Sequence, residues 1–190
     1  GVKTFRAIYF SSQIVTMTVV AVVWSFILSP TDTGIMNSLL SKFGIPAQSW
    51  LQDSRLALFS IATMYIWQTL GMEMLIILGG LQYIPLEVYE AADLDGCSGV
   101  QRFVRITVPL LKNTMVYVML SVTINTLKLF TQVYMLTNGG PKNATTSVIY
   151  QLYKVGFMNN QQGFSSAIAV VFFVIVLGIS LLQNYLMRDQ

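Results

Sequence analysis

The chain has 190 residues, of which 54% are hydrophobic and only 10% charged, with a formal net charge of +3. Soluble domains carry about 25% charged residues, so this composition speaks against a water-soluble globule, and it rules out a disordered chain, which needs low hydrophobicity and high charge. With no His and one Cys, a His-ligated zinc site, a Cys cluster, a His-based catalytic triad and an intrachain disulfide framework are excluded as well.

Residues 7–28 form the first apolar stretch and carry no charge. A bilayer core of about 30 Å needs roughly 20 helical residues, and this stretch is long enough. It is longer than the apolar core of a signal peptide, and no small-residue cleavage site follows it. The linker 29–55 contains Pro30, Asp32, Gly34, Gly44 and Pro46. It predicts a turn, a short amphipathic helix over 35–42 and a second turn.

The second span is predicted over 56–81, with Glu73 as its one charge. The third is predicted over 109–136, with Lys112 near its start and Lys128 inside, and the fourth, uncharged, over 164–186. Apolar side chains occur on all sides of each stretch, unlike the one-faced helices of a soluble core. The linker 137–163 opens on Asn138-Gly139-Gly140-Pro141, a strong turn signal. The expected fold is therefore all-α: a polytopic integral membrane protein with four transmembrane helices.

Basic residues are dispersed singly, a pattern of membrane topology rather than nucleic-acid binding. With loop 82–108 in the cytoplasm, Lys3, Arg6, Arg102, Arg105, Lys112 and Arg188 lie inside, and Lys42, Arg55, Lys142 and Lys154 outside. Trp24 falls near a span end and Trp50 in a linker, as interfacial anchors do.

Loop 82–108 is the most polar stretch and reads as helix, break, helix. Pro85 suits a first helical turn, and Glu87 and Glu90 lie near its positive end. Leu86, Tyr89, Ala92 and Leu94 recur at helical spacing. Gly96 is placed to end the helix in a left-handed conformation, and Ser98 to cap the next one. Acidic residues do not suit a helix resting on anionic headgroups, which favour Lys and Arg. A protein-docking helix with small side chains for close approach is the better reading.

Glu90-Ala91-Ala92, then Asp95-Gly96, then Phe103, Ile106 and Pro109-Leu110, resemble the cytoplasmic "EAA" loop of ABC importer permeases of the binding-protein-dependent sugar and glycerol-3-phosphate type. Cys97 stands in place of the usual Ala, Val108 in place of Leu, and Asn113 where Pro is often found. Trp67-Gln68 with residues 75–81, then Leu136-Thr137-Asn138-Gly139-Gly140-Pro141, Thr145-Thr146 and Tyr150, extend the likeness over essentially the whole chain, residues 1–190. The resemblance implies the C-terminal portion of a permease domain, with further membrane helices and a cytoplasmic tail ahead of it.

It also implies partners: an ABC ATPase dimer, a second permease subunit, an extracytoplasmic solute-binding protein and membrane lipid, with no nucleic acid. The implied setting is a bacterial inner membrane, with the loop and the C-terminus cytoplasmic. The implied ATPase-coupling residues are Glu90, Ala91, Ala92, Asp95, Gly96, Phe103 and Pro109, with Tyr89, Leu94 and Phe103 as packing residues within the loop. The chain has no GxxxxGK[ST] sequence. No cofactor or catalytic activity of its own is therefore expected, and ATP would bind a separate polypeptide.

Intramembrane ionisable groups are functional by default, which nominates Lys128 and Glu73 for the substrate path, together with the polar Gln68, Asn125 and Gln132. Asn125, Lys128 and Gln132 are spaced to share one helix face, a stripe suited to a polyhydroxyl solute. Helix–helix hydrogen bonding, or a Lys128–Glu73 pair, is the competing use of these residues. An intramembrane enzyme, or a stand-alone secondary transporter or channel, are the alternative functions; neither requires a docking loop.

Overall fold

The 26 residues of α4, Ala57–Gln82, measure about 39 Å at 1.5 Å per residue, more than a bilayer core. This helix is the spine of the molecule. The computed structural model describes residues 1–188. The side chains of Lys3 and Arg188, which entered the orientation argument, lie outside the described residues. Every regular element among the described residues is helical.

Among the described residues two helices are long and apolar enough to span a membrane by themselves: α4 and α11, Gln162–Arg188. Both lie within about two residues of their predicted bounds. The other two predicted spans are broken. The run 7–28 forms α1, Val2–Ile14, and α2, Met17–Ile27, bent by 100° at Val15–Thr16. Both residues there are extended, and the Thr16 carbonyl accepts from Val20 N–H to open α2. The run 109–136 is divided among α7, Val108–Leu110, α8, Lys112–Leu127, and α9, Thr131–Leu136. Residues 99–110 meet α8 at 67°. Counting each bent pair as one span gives four; counting straight helices gives two.

α1 lies along α4, α8 packs on both α4 and α11, and α2 on α9. Backbone approach is closest at Gly71, where a Cβ would collide with the Tyr9 carbonyl oxygen and sit 3.0 Å from Phe10 Cα. Ser12 Oγ uses that proximity to donate to the Gln68 carbonyl at 3.2 Å. Between α8 and α11, Gln183 Nε2 donates to Thr123 Oγ1 at 2.9 Å.

At the N-terminal end of α4, the short helix α3, Ile35–Ser41, appears where it is predicted. Its anchor is polar. Asn37 is 1% exposed. Its Nδ2 donates to the carbonyls of Ser29, Thr31 and Gln48, and its Oδ1 accepts from Gln48 N–H and Trp50 Nε1. One side chain thus gathers the whole 29–50 linker. Met36, Asn37 and Leu40 face inward, while Ile35 and Leu39 are exposed.

The linker 137–163 is more ordered than its turn residues suggest. Asn138 and Gly139 take positive φ, and Thr145 and Thr146 hydroxyls donate to the carbonyls of Gly140 and Gly139. α10, Val148–Tyr153, follows, with Ser147 Oγ capping Tyr150 N–H, and it continues into a π-helical turn, Lys154–Met158.

Candidate functional site

A cavity of ≈ 480 Å³ lies beside the middle of α4. Gln13, Met17, Gln68, Asn125, Lys128, Phe130 and Gln132 are among the residues lining it. Such a volume suits a small organic ligand, for which pockets run from about 300 to 1,000 Å³. The break at Val15–Thr16 and the break between α8 and α9 both lie at this cavity. At the first break, Gln68 Nε2 donates to the Val15 carbonyl at 3.2 Å, satisfying an acceptor that the end of α1 leaves without an intrahelical partner. At the second, α8 stops at Leu127 with Lys128 as its cap, Leu129 N–H turns back to Thr126 O at 3.2 Å, and the Leu129 carbonyl accepts from Ser147 Oγ. Non-helical backbone at membrane depth is tolerated where it is buried in protein or lines a water-filled cavity.

Four of the five sequence candidates, Gln68, Asn125, Lys128 and Gln132, meet at this cavity. They do so by a different route from the expected one. Asn125 is on α8, Lys128 caps it, and Gln132 is on α9, so the three do not share a face of one helix; the chain turns between them. Gln68 and Gln132 are buried, while Asn125 and Lys128 are open. As the cap of α8, the Lys128 ammonium sits at the negative end of that helix's dipole.

Glu73 is not part of this group. It lines a neighbouring cleft of ≈ 810 Å³ between α4 and α8, which adjoins the polar cavity at Tyr65, Thr69 and Leu129 and is otherwise walled almost entirely by apolar side chains such as Ile66, Leu70, Ile77 and Val122. The suggested Lys128–Glu73 pair does not form; Arg102, in the loop, does form an ion pair, with Asp93. Gln13, by contrast, lines the polar cavity and was missed by sequence reasoning. A glutamine next to the β-branched Ile14-Val15-Thr16 inside an uncharged apolar run was the available signal.

At the other end of α4, loop 82–108 folds as helix, break, helix. The first helix is α5, Leu86–Leu94, with Pro85 as its N-cap. Gly96 takes φ +73°, the left-handed conformation in which glycine carries no Cβ penalty. Ser98 then caps α6, Gly99–Arg102, in a reciprocal capping box with Gln101. A π-helical turn, Phe103–Thr107, joins α6 to α7.

Glu90, Ala91, Asp95, Gly96 and Pro109 are all exposed. Ala92 is the exception, at 4% exposure: its methyl is covered by its own chain and offers no outer surface. Two expected packing residues are corrected. Leu94, at the end of α5, is 90% exposed and Phe103, at the start of the π-helical turn, 59% exposed: among the described residues no element covers either. Tyr89 alone of the three is tied in, its hydroxyl 3.2 Å from Thr107 Oγ1.

Broken apolar helices around a polar cavity, with an exposed short helix joining two of the apolar stretches, are features of a helical membrane protein. Residues 2–189 match the family described as binding-protein-dependent transport system inner membrane component, and the chain belongs to that family. It is 36% identical over 181 residues to the probable ABC transporter permease protein YurN of Bacillus subtilis, covering 94% of this chain and 62% of YurN. It is 31% identical to the arabinooligosaccharides transport system permease protein AraP of the same organism, over 94% of this chain and 58% of AraP. The trehalose/maltose transport system permease protein MalF of Thermococcus litoralis is 38% identical over 78% of this chain and 50% of that protein. The chain thus spans 50% to 62% of the length of these relatives. A bacterial ABC transporter involved in the import of the acidic polysaccharide alginate shares the fold, with a TM-score of 0.83 at 22% identity over 98% of this chain and 65% of that one.

Proposed function

We propose that this chain is part of the transmembrane subunit of an ATP-driven importer of carbohydrates, with the cavity at Gln68 and Lys128 on the solute path and loop 82–108 as the contact with a separate ATPase. The observation that carries the reading is the cavity itself. Gln68 is the twelfth residue of the 26 in α4, so the cavity lies beside the middle of that helix, and transporter sites form at interrupted helices near the bilayer midplane. Amide side chains give hydroxyl groups donors and acceptors, and the Lys128 ammonium suits an anionic saccharide or a polyol phosphate.

The relatives support a carbohydrate. Their names include arabinooligosaccharides and trehalose/maltose, and the alginate transporter has also been solved with an alginate pentasaccharide-bound periplasmic protein. By analogy the partners here are an ATPase dimer, a second permease subunit and an extracytoplasmic solute-binding protein. The implied placement is a bacterial inner membrane, with loop 82–108 and the C-terminus on the ATPase side.

Docking by α5 rests on its exposed chemistry. Leu94 and Phe103 provide apolar anchors, and Glu90 and Asp95 provide acceptors for a basic or N–H-rich cleft. The test is reconstitution with the genomically adjacent subunits. A Leu94→Cys chain is expected to cross-link to the ATPase, and Glu90→Lys or Gly96→Pro to abolish uptake while membrane insertion persists. Normal uptake in both substituted chains, or cross-links from Leu94→Cys to lipid alone, overturns the reading.

A further inference from the structure

Apolar packing does little to hold α5. Of its nine residues only Ala92 is buried. The links that join α5 to the following helix are polar, and they converge on Arg102. Arg102 Nη1 donates to Asp93 Oδ1 at 2.6 Å, and its guanidinium carbon lies 5.8 Å from the centre of the Tyr89 ring. Tyr89 and Asp93 are one helical turn apart, so a single side chain grips two successive turns of α5.

The Tyr89 hydroxyl meets Thr107 Oγ1 at 3.2 Å, and Thr107 Oγ1 donates to the Arg102 carbonyl at 3.5 Å. The contacts close a ring: Arg102 to Tyr89, Tyr89 to Thr107, Thr107 back to Arg102. The π-helical turn between Arg102 and Thr107 is what sets that last contact at a separation of five residues. One side of the ring belongs to α5. The other belongs to the segment that runs through α7 into α8, whose far end is Lys128 at the cavity.

We propose that Arg102 is a positioning residue that fixes the angle of α5 to the 99–110 helix, so that a displacement of α5 reaches α8 and the cavity instead of being absorbed at the Asp95–Ser98 joint. The proposal rests on the reading of α5 as the ATPase contact. A purely structural role predicts almost nothing for this pair, because Arg102 and Asp93 are 35% and 59% exposed and exposed ion pairs contribute little to stability. A transmission role predicts a loss confined to coupling.

The experiment uses the complete transporter in proteoliposomes, with solute uptake and ATP hydrolysis measured in the same vesicles. Arg102→Ala and Asp93→Ala are each expected to assemble with the ATPase and to melt as the parent does, while the ratio of solute moved to ATP hydrolysed falls about threefold or more. The paired Asp93→Ala/Arg102→Ala chain should lose no more than either single change, since residues acting through one contact are non-additive. The exchanged pair Asp93→Arg/Arg102→Asp should recover most of the ratio. A parental ratio in Arg102→Ala, or a double change whose loss is the product of the singles, overturns the proposal. A Leu94→Cys control separates the two readings. If it cross-links to the ATPase while Arg102→Ala couples normally, only the positioning role falls; if it never reaches the ATPase, the docking reading falls and the positioning role with it.

Discussion

Gln68 and Val15 are joined across two helices: the Gln68 side-chain amide donates to the Val15 carbonyl at 3.2 Å, at the point where the first apolar run bends by 100°. The same side chain faces the polar cavity. Gln68 therefore stabilises a broken helix and helps build the proposed solute path. Gln68→Leu removes both. Interhelical hydrogen bonds in membranes contribute about 0.6 kcal/mol on average and up to about 1.7, so a loss within that range is expected, seen as a lowered melting temperature in detergent together with reduced uptake. A Gln68→Leu protein with parental melting and uptake would show that neither contact matters.

Lys128 tests the charge of the solute. At about 4 Å and an effective dielectric near 20, two unit charges interact by about 4 kcal/mol; even a fraction of that changes affinity about tenfold. Lys128→Ala is expected to raise the KM for an anionic saccharide by about that factor and to leave a neutral one unchanged. Uptake kinetics with paired charged and neutral oligosaccharides decide it, and unchanged kinetics for both remove Lys128 from the path.

Gly71 and Gly79 lie on the same helix and call for opposite outcomes. A Cβ at Gly71 collides with the Tyr9 carbonyl, whereas at Gly79 nothing lies within 4 Å. Gly71→Ala must push α1 off α4 and weaken the Ser12–Gln68 contact, at a cost of about 1–3 kcal/mol. Gly79→Ala only gains helix propensity, up to about 1 kcal/mol. Thermal unfolding of the two purified proteins should bracket the parent from below and above.

Asn37 holds the linker ahead of α4. Asn37→Ala deletes three donated and two accepted hydrogen bonds at a site 1% exposed, an expected loss of about 3 kcal/mol. Protease cleavage within 42–56 should accelerate, and Trp50 fluorescence should shift to longer wavelength as the released indole becomes accessible to water. Asn37→Asp keeps the acceptor of Trp50 and Gln48 and should fall between the two.

The long straight helices and the bounds of the polar loop were legible in the residues alone. An apolar run of 26 residues has no stable arrangement in lipid except a helix that satisfies its own backbone. Gly96 and Ser98 carry their instructions locally, in the missing Cβ and the side-chain hydroxyl. The breaks at Val15–Thr16 and Lys128–Phe130 were decided by the tertiary structure. No Gly or Pro marks either one. Each is held by a side chain from elsewhere that takes up a released carbonyl: Gln68, 53 positions from Val15, and Ser147, 18 from Leu129. For the same reason the polar candidates were recognisable by residue type, but not the way they meet. Asn125, Lys128 and Gln132 line one cavity because the chain turns between them, and the turn is stable because a distant hydroxyl satisfies the backbone group that a continuous helix would have satisfied itself.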